Sequence, residues 1–247
     1  CEDYNNKDII HRDNPYIDTA TYEESLKQLD YIDQQYQMYG NWKYRASAGD
    51  LIDLATLQKA YIDVEDYISR PIQFCTEGMD LASTGRDFTV IYNLILLNNG
   101  VTVVNDIMRN QTKTPEAEVE RFVEKNAKES QLYTLGIDLE PGSDSTYSMR
   151  YWRDDILRNI QQTYGIIIKG IRPVKNKFNR ARPVAQAIRN GKLLFSRHLQ
   201  DILEAPNGLF DQFMTITPDA ELMKKQKSPD DVDALGYAWQ EMSLFTV

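Results

Sequence analysis

Histidine and cysteine are nearly missing from this sequence, with two of each in 247 residues. His11 and His198 are too few and too scattered for a zinc site, and Cys1 with Cys75 makes no disulfide framework. Cys75 lies in the apolar stretch IQFC and reads as a buried core thiol. Nothing in this usage argues for an oxidising compartment. No apolar run approaches the length of a membrane span; the longest candidate, YNLILLNNGVTVV, is broken by a polar turn. The N-terminus, CEDYNNKDII, carries acids where a signal peptide needs basic and apolar regions. No G-x-x-x-x-G-K-[ST] is present, since Asn190-Gly191-Lys192 is followed by Leu193, so a P-loop for ATP is absent from these residues. Internal repeats and low-complexity tracts are absent as well.

What is present is an ordinary globular composition, 42% hydrophobic and 26% charged, enough for one large domain or a domain with an extension. Charge is more informative in its distribution than in its total. A net charge of −9 argues against DNA binding by the whole surface. Yet the stretch from Gly165 to Arg197 holds nine cations and no acid, which leaves −18 for the remainder. A basic segment inside an acidic protein reads as a local anion site.

Residues 1–66 read as a helical appendage. One amphipathic helix is expected from about Tyr22 to Tyr39, with Leu26, Leu29, Ile32 and Tyr36 at helical spacing and Gly40 as its stop. From residue 67 to 247 the pattern is α/β. PIQFCTEGMD is a strand that runs into a loop carrying Asp80. DFTVIYNLILL and GVTVVNDIMR form a hairpin across Asn98-Asn99-Gly100. Thr114-Pro115 opens a helix, with Thr114 as cap. QLYTLGIDLE is a strand, YSMRYWRDDILRNIQQTY a helix, GIIIKGI a strand, PVAQAIRNG a helix and KLLF a short extended piece. SPDDVDALGYAWQEM is a helix with Ser228 as cap, Pro229 in the first turn and Asp231 as the capping-box acid. A hairpin followed by βαβ units is the layout of an RNase H-like mixed sheet flanked by helices.

Acidic clusters stand where these elements end. Asp80 follows a strand, and strand ends of open α/β sheets are where ligands bind. Asp138 and Glu140 are two apart on a strand and project to one face. Leu135, Ile137 and Leu139 around Asp138 imply burial, and a buried carboxylate needs a partner or a metal. Asp230 and Asp233 share a face of a first helical turn, where the helix dipole favours negative charge; that fact also gives them a purely structural role. Asp87 and Asp231 stand in supporting positions. Carboxylates that converge from distant segments repel one another unless a cation lies between them, and hard oxygen donors suit Mg²⁺ or Mn²⁺. Two such ions are the usual apparatus for attack on a phosphodiester.

In combination and order, four stretches resemble the C-terminal nuclease domain of the large terminase subunit of tailed bacteriophages, with the end of its ATPase domain attached. DNPYIDTATYEESLKQLDYIDQQYQMYGNW is similar to the segment that closes the motor domain. GMDLASTGRDFTVI resembles the first nuclease strand and loop, and IDLEPGS the family's Glu-Gln-Glu-Pro-Gly. KNKFNRARPVAQAIRNGKLLF with SPDDVDALGYA resembles the closing Lys-x-x-Arg-Ala and Asp-Asp-x-x-Asp-Ala.

The resemblance implies an RNase H-like endonuclease that cuts concatemeric viral DNA with two Mg²⁺ or Mn²⁺ ions in the cytoplasm of a bacterial host. It implies a portal and a small terminase subunit as partners. Asp80, Asp138, Glu140, Asp230 and Asp233 match the metal ligands. Asp138 is one methylene shorter than the family's usual Glu, which leaves Glu140 open as the main ligand. SPDD lacks the usual His-Asp, which leaves Asp231 open in place of Asp230. Lys175, Lys177, Arg180 and Arg182 are expected on DNA phosphates, contacts that carry no sequence information. Two other readings stand beside this one. One is another RNase H-like nuclease, a resolvase or transposase core; the other is a non-catalytic docking module of a packaging motor.

Overall fold

The computed structural model describes residues 16–29, 31–82, 87–138, 149–173, 176–225 and 227–245. In chain order the elements begin with α1 (Thr19–Lys27), α2 (Tyr31–Gln37), α3 (Leu54–Lys59), β1 (Tyr61–Ile62) and α4 (Val64–Tyr67). The hairpin region follows as β2 (Ile72–Asp80), β3 (Thr89–Leu97) and β4 (Thr102–Asn110), then α5 (Glu116–Glu129) and β5 (Thr134–Asp138). A π-helical turn at Tyr151–Ile156 leads into α6 (Arg158–Tyr164) and β6 (Ile167–Ile171). The chain continues through α7 (Lys177–Arg189), β7 (Leu193–Ser196), α8 (Gln200–Leu203), α9 (Leu209–Thr215), α10 (Ala220–Lys225) and α11 (Asp230–Met242).

Seven strands form one mixed sheet in the order β1-β7-β4-β3-β2-β5-β6. β2, β3 and β4 are antiparallel, while β5 and β6 are parallel to β2 and to each other. The β3–β4 turn matches the sequence signal: Gly100 has φ +78°, and its N–H donates to Leu97 O at 3.0 Å. β3 is buried along its whole length because both faces of the sheet are covered. One face packs Val90, Tyr92 and Leu94 with residues of α3, α7, α9 and α11. The other packs Cys75, Met79, Ile91 and Ile95 with α5 and α6. Leu51, Ile52 and Leu57 join the first of these cores, and β1 pairs in parallel with β7.

Several local expectations need correction. The expected Tyr22–Tyr39 helix is two helices. Asp18 caps the first through the N–H groups of Ala20 and Thr21. Its last carbonyls find another donor, since Gln34 Nε2 donates to Lys27 O at 2.9 Å and to Leu29 O at 2.8 Å, so the break leaves them satisfied. Pro115, not Thr114, occupies the cap position of α5. α7 begins six residues before Pro183, because Asn176 accepts the N–H of Asn179 at 2.8 Å. Pro183 then falls in the second turn, where it forfeits one backbone hydrogen bond. Ser228 does not cap α11; the cap position is Pro229, with no side-chain hydrogen bond.

Candidate active site

Two neighbouring strand ends and one helix start meet at the site. β2 and β5 run parallel with Met79 opposite Ile137. The next residues, Asp80 and Asp138, therefore end adjacent strands at the same level and on the same face. α11 crosses β2 directly over Gly78. A Cβ at that position would come within 2.1 Å of Ala234 O and 2.2 Å of Ala238 N, so only glycine admits the helix here. The first turn of α11 thereby brings Asp230 and Asp233 beside the strand ends. A cleft of about 320 Å³ results, lined by Asp80, Asp138, Asp230 and Asp233, with Asp87 and Phe88 at its edge. Lys177 and Arg180, on the first turn of α7, line it from the other side.

The electrostatics follow from this crowding. Burial pushes the Asp80 carboxyl well above the usual carboxylate range. The charges of Asp233, Asp230 and Asp138 push in the same direction, against the pull of Lys177. Burial also raises Asp230, moderated by the Ser228 hydroxyl and by the Phe88 N–H, which donates to Asp230 Oδ2 at 3.1 Å. Asp233 is 3% exposed and is held by both cations: Lys177 Nζ lies 2.7 Å from Oδ2, and Arg180 bonds Oδ1. Among the described residues no three His, Cys, Asp or Glu side chains stand as a preassembled metal cage. The donor set nevertheless fits a hard divalent cation. It is all carboxylate oxygen, and a cation would offset both the burial and the neighbouring acids that raise Asp80.

Behind the cleft lies a buried network that the sequence reading missed. Asp231 is 1% exposed. It accepts hydrogen bonds from Tyr92 Oη at 3.0 Å, Arg109 Nε at 3.1 Å and Gln212 Nε2 at 2.6 Å. Gln212 Oε1 accepts the N–H groups of Asp231 at 3.0 Å and Val232 at 3.2 Å, and so provides the cap that Ser228 does not. Ser228 Oγ instead accepts from Lys177 Nζ at 2.8 Å. The Arg109 guanidinium also lies 3.7 Å over the Phe88 ring, next to the N–H that binds Asp230. Asp231 is thus turned away from the cleft, while Asp230 and Asp233 face it. No short-range signal marks these partners, since Arg109 and Asp231 are 122 residues apart.

Of the expected site residues, the structure brings together Asp80, Asp87, Asp138, Lys177, Arg180, Asp230 and Asp233. Arg182 lies elsewhere on α7 and pairs with Asp33 of α2 at 2.8 Å. Glu140 and Lys175 lie outside the described residues, as do Cys1 and His11.

The fold and the cleft together define an α/β domain of the RNase H-like class. No protein-family model matches the chain, and no curated protein matches it. Solved structures that it resembles include terminases. The large terminase of a thermophilic bacteriophage superposes with a TM-score of 0.59 and 14% identity, over 91% of this chain and 52% of that one. The human cytomegalovirus terminase nuclease domain, manganese-soaked and inhibitor-bound, superposes with a TM-score of 0.53 and 10% identity, over 77% of this chain and 94% of that domain. At these identities the likeness establishes the fold: a mixed seven-stranded sheet flanked by helices, as in terminase nuclease domains. The chain spans about half the length of the phage terminase.

Among the described residues no helix is long and apolar enough to cross a membrane.

Proposed function

We propose that this chain is the DNA-cleaving part of a large-terminase-like packaging protein, an endonuclease that cuts concatemeric viral DNA with little sequence preference. The observation that carries this reading is the convergence of Asp80, Asp138, Asp230 and Asp233 on one cleft flanked by Lys177 and Arg180. The likeness of its fold to a phage large terminase over 91% of the chain, and to a terminase nuclease domain over 77%, supports it. Asp80, Asp138 and Asp230, with Asp233, would hold two Mg²⁺ or Mn²⁺ ions; Glu140 adds a further candidate ligand by its place in the sequence. Bound there, the ions would supply an activated water and charge stabilisation for the leaving oxygen.

The remaining work falls to the protein. Asp80 and Asp138 present their carboxylates from rigid strand ends. The Phe88 N–H and the Ser228 hydroxyl orient Asp230. Lys177 and Arg180 bring positive charge to the rim where a phosphodiester would enter. Double-stranded DNA is the substrate in this reading. The portal, the small terminase subunit and a location in the host cytoplasm follow from the resemblance alone.

Cleavage of circular DNA in Mg²⁺ and in Mn²⁺, with and without EDTA, tests the proposal. Asp80→Asn is expected to abolish cleavage without unfolding the protein. Cleavage that persists in EDTA, or full activity in Asp80→Asn, would overturn it.

A further inference from the structure

The cleft already contains cations of its own, and they are not placed as phosphate contacts alone would require. Both oxygens of Asp233 are taken, one by the Lys177 ammonium at 2.7 Å and the other by the Arg180 guanidinium. The two cations differ in how firmly they are held. Arg180 is the more buried of the pair, and its guanidinium lies 5.9 Å from the Tyr237 ring. Lys177 is more exposed, with the Ser228 hydroxyl as its other partner at 2.8 Å. Asp233 itself is 3% exposed, so loss of its partners would leave a buried carboxylate uncompensated. Four carboxylates therefore share a cleft in which two intrinsic cations answer part of the charge, and both form direct ion pairs with the same acid.

We infer that Lys177 and Arg180 are built-in counter-cations of the cleft, and that a divalent ion reaches Asp233 only by displacing the Lys177 ammonium from it. The inference rests on the reading of the cleft as a metal site and adds an exchange step to it. Metal entry is then a competition between two cations for one carboxylate. The ammonium keeps the cleft folded while it waits for metal, and it weakens metal binding by the same interaction.

Mn²⁺ titration in the absence of DNA, by calorimetry or electron paramagnetic resonance, tests this on wild type, Lys177→Met and Arg189→Met. Arg189 is a cation of the same helix that donates to the Asp50 carbonyl at 3.0 Å, so its loss makes the same charge change outside the cleft. Lys177→Met is expected to bind Mn²⁺ at least about threefold more tightly than either. Its metal-free melting temperature is expected below that of wild type, with the gap closing at saturating Mn²⁺. Equal Mn²⁺ affinity in Lys177→Met and Arg189→Met would overturn the exchange. If Lys177→Met does not fold, amine labelling of the wild-type protein read by mass spectrometry decides. Labelling of Lys177 should rise on Mn²⁺ saturation, and unchanged labelling would refute displacement. Failure of the underlying reading looks different: wild type would bind no Mn²⁺, or Asp80→Asn would bind it as wild type does.

Discussion

Gln212 caps a helix to which it does not belong: its side-chain oxygen accepts the N–H of Asp231 at 3.0 Å, and its amide donates to the Asp231 carboxylate at 2.6 Å. The residue thereby fixes both the start of α11 and the one acid of that turn that faces the interior. Gln212→Ala removes a cap and a charge-assisted bond together. It is expected to lower the free energy of unfolding by about 2–3 kcal/mol, read from urea denaturation. A loss below about 0.5 kcal/mol would show that solvent can replace the cap.

Asp80 should trade stability against chemistry. Its carboxyl is raised above the ordinary 3.8 by burial and by its acidic neighbours. A raised acid favours the fold below its unfolded pKa, and that contribution is lost as the pH climbs to the folded value. At neutral pH without metal, Asp80 therefore costs stability. Metal-free Asp80→Asn is expected to melt above wild type near neutrality, with the difference shrinking towards about pH 4. A lower melting temperature near neutrality would contradict the crowding of the cleft.

Glu77 makes the same argument on the other face of the sheet. It is fully buried, accepts a bond from Asn93 Nδ2 at 3.3 Å, and is pushed by burial from 4.5 to about 8. Its contribution to stability is complete below pH 4.5 and declines until about pH 8. Glu77→Gln, which cannot ionise, is expected to flatten the fall of stability across that window. Parallel pH profiles for the two proteins would show that Glu77 does not titrate there.

The glycines of the site predict opposite outcomes. Gly78→Ala would drive a Cβ into Ala234 O and Ala238 N, both backbone atoms that no rotamer can move. It is expected to destabilise by about 3 kcal/mol or more, through overpacking. Gly236→Ala, in the interior of α11, meets nothing within 4 Å and is expected to stabilise by about 0.5–1 kcal/mol through helix propensity. Thermal melts of the pair test the contrast; a harmless Gly78→Ala would mean that the helix can lift off the sheet.

Signals local in sequence were legible, and those that depend on distant partners were not. Asn98-Asn99-Gly100 marks the hairpin, because a tight turn is encoded in its own residues. The alternation around Asp138 marks it as a strand residue, and it is the last residue of β5. Asp80, Asp230 and Asp233 could be proposed together because they stand at a strand end and a helix start that the sequence marks. What failed was decided elsewhere in the chain. The cap of α11 depends on Gln212, and the orientation of Asp231 on Tyr92 and Arg109. Lys177 and Arg180 were visible as charge, but their attachment to Asp233, over 50 residues later, was not. Arg182 shared that charge signal, yet its partner Asp33 lies on α2, about 150 residues earlier.

The seat of α11 on Gly78 makes the spacing of the acids a property of main chains. Asp80 lies two residues beyond the point of contact on one backbone, and Asp233 one residue before it on the other. No side chain intervenes between strand and helix there, so variation in the surrounding core cannot act as a shim that widens the gap. The gauge of the cleft is set by peptide thickness, and it can stay constant while nearly every neighbouring side chain drifts.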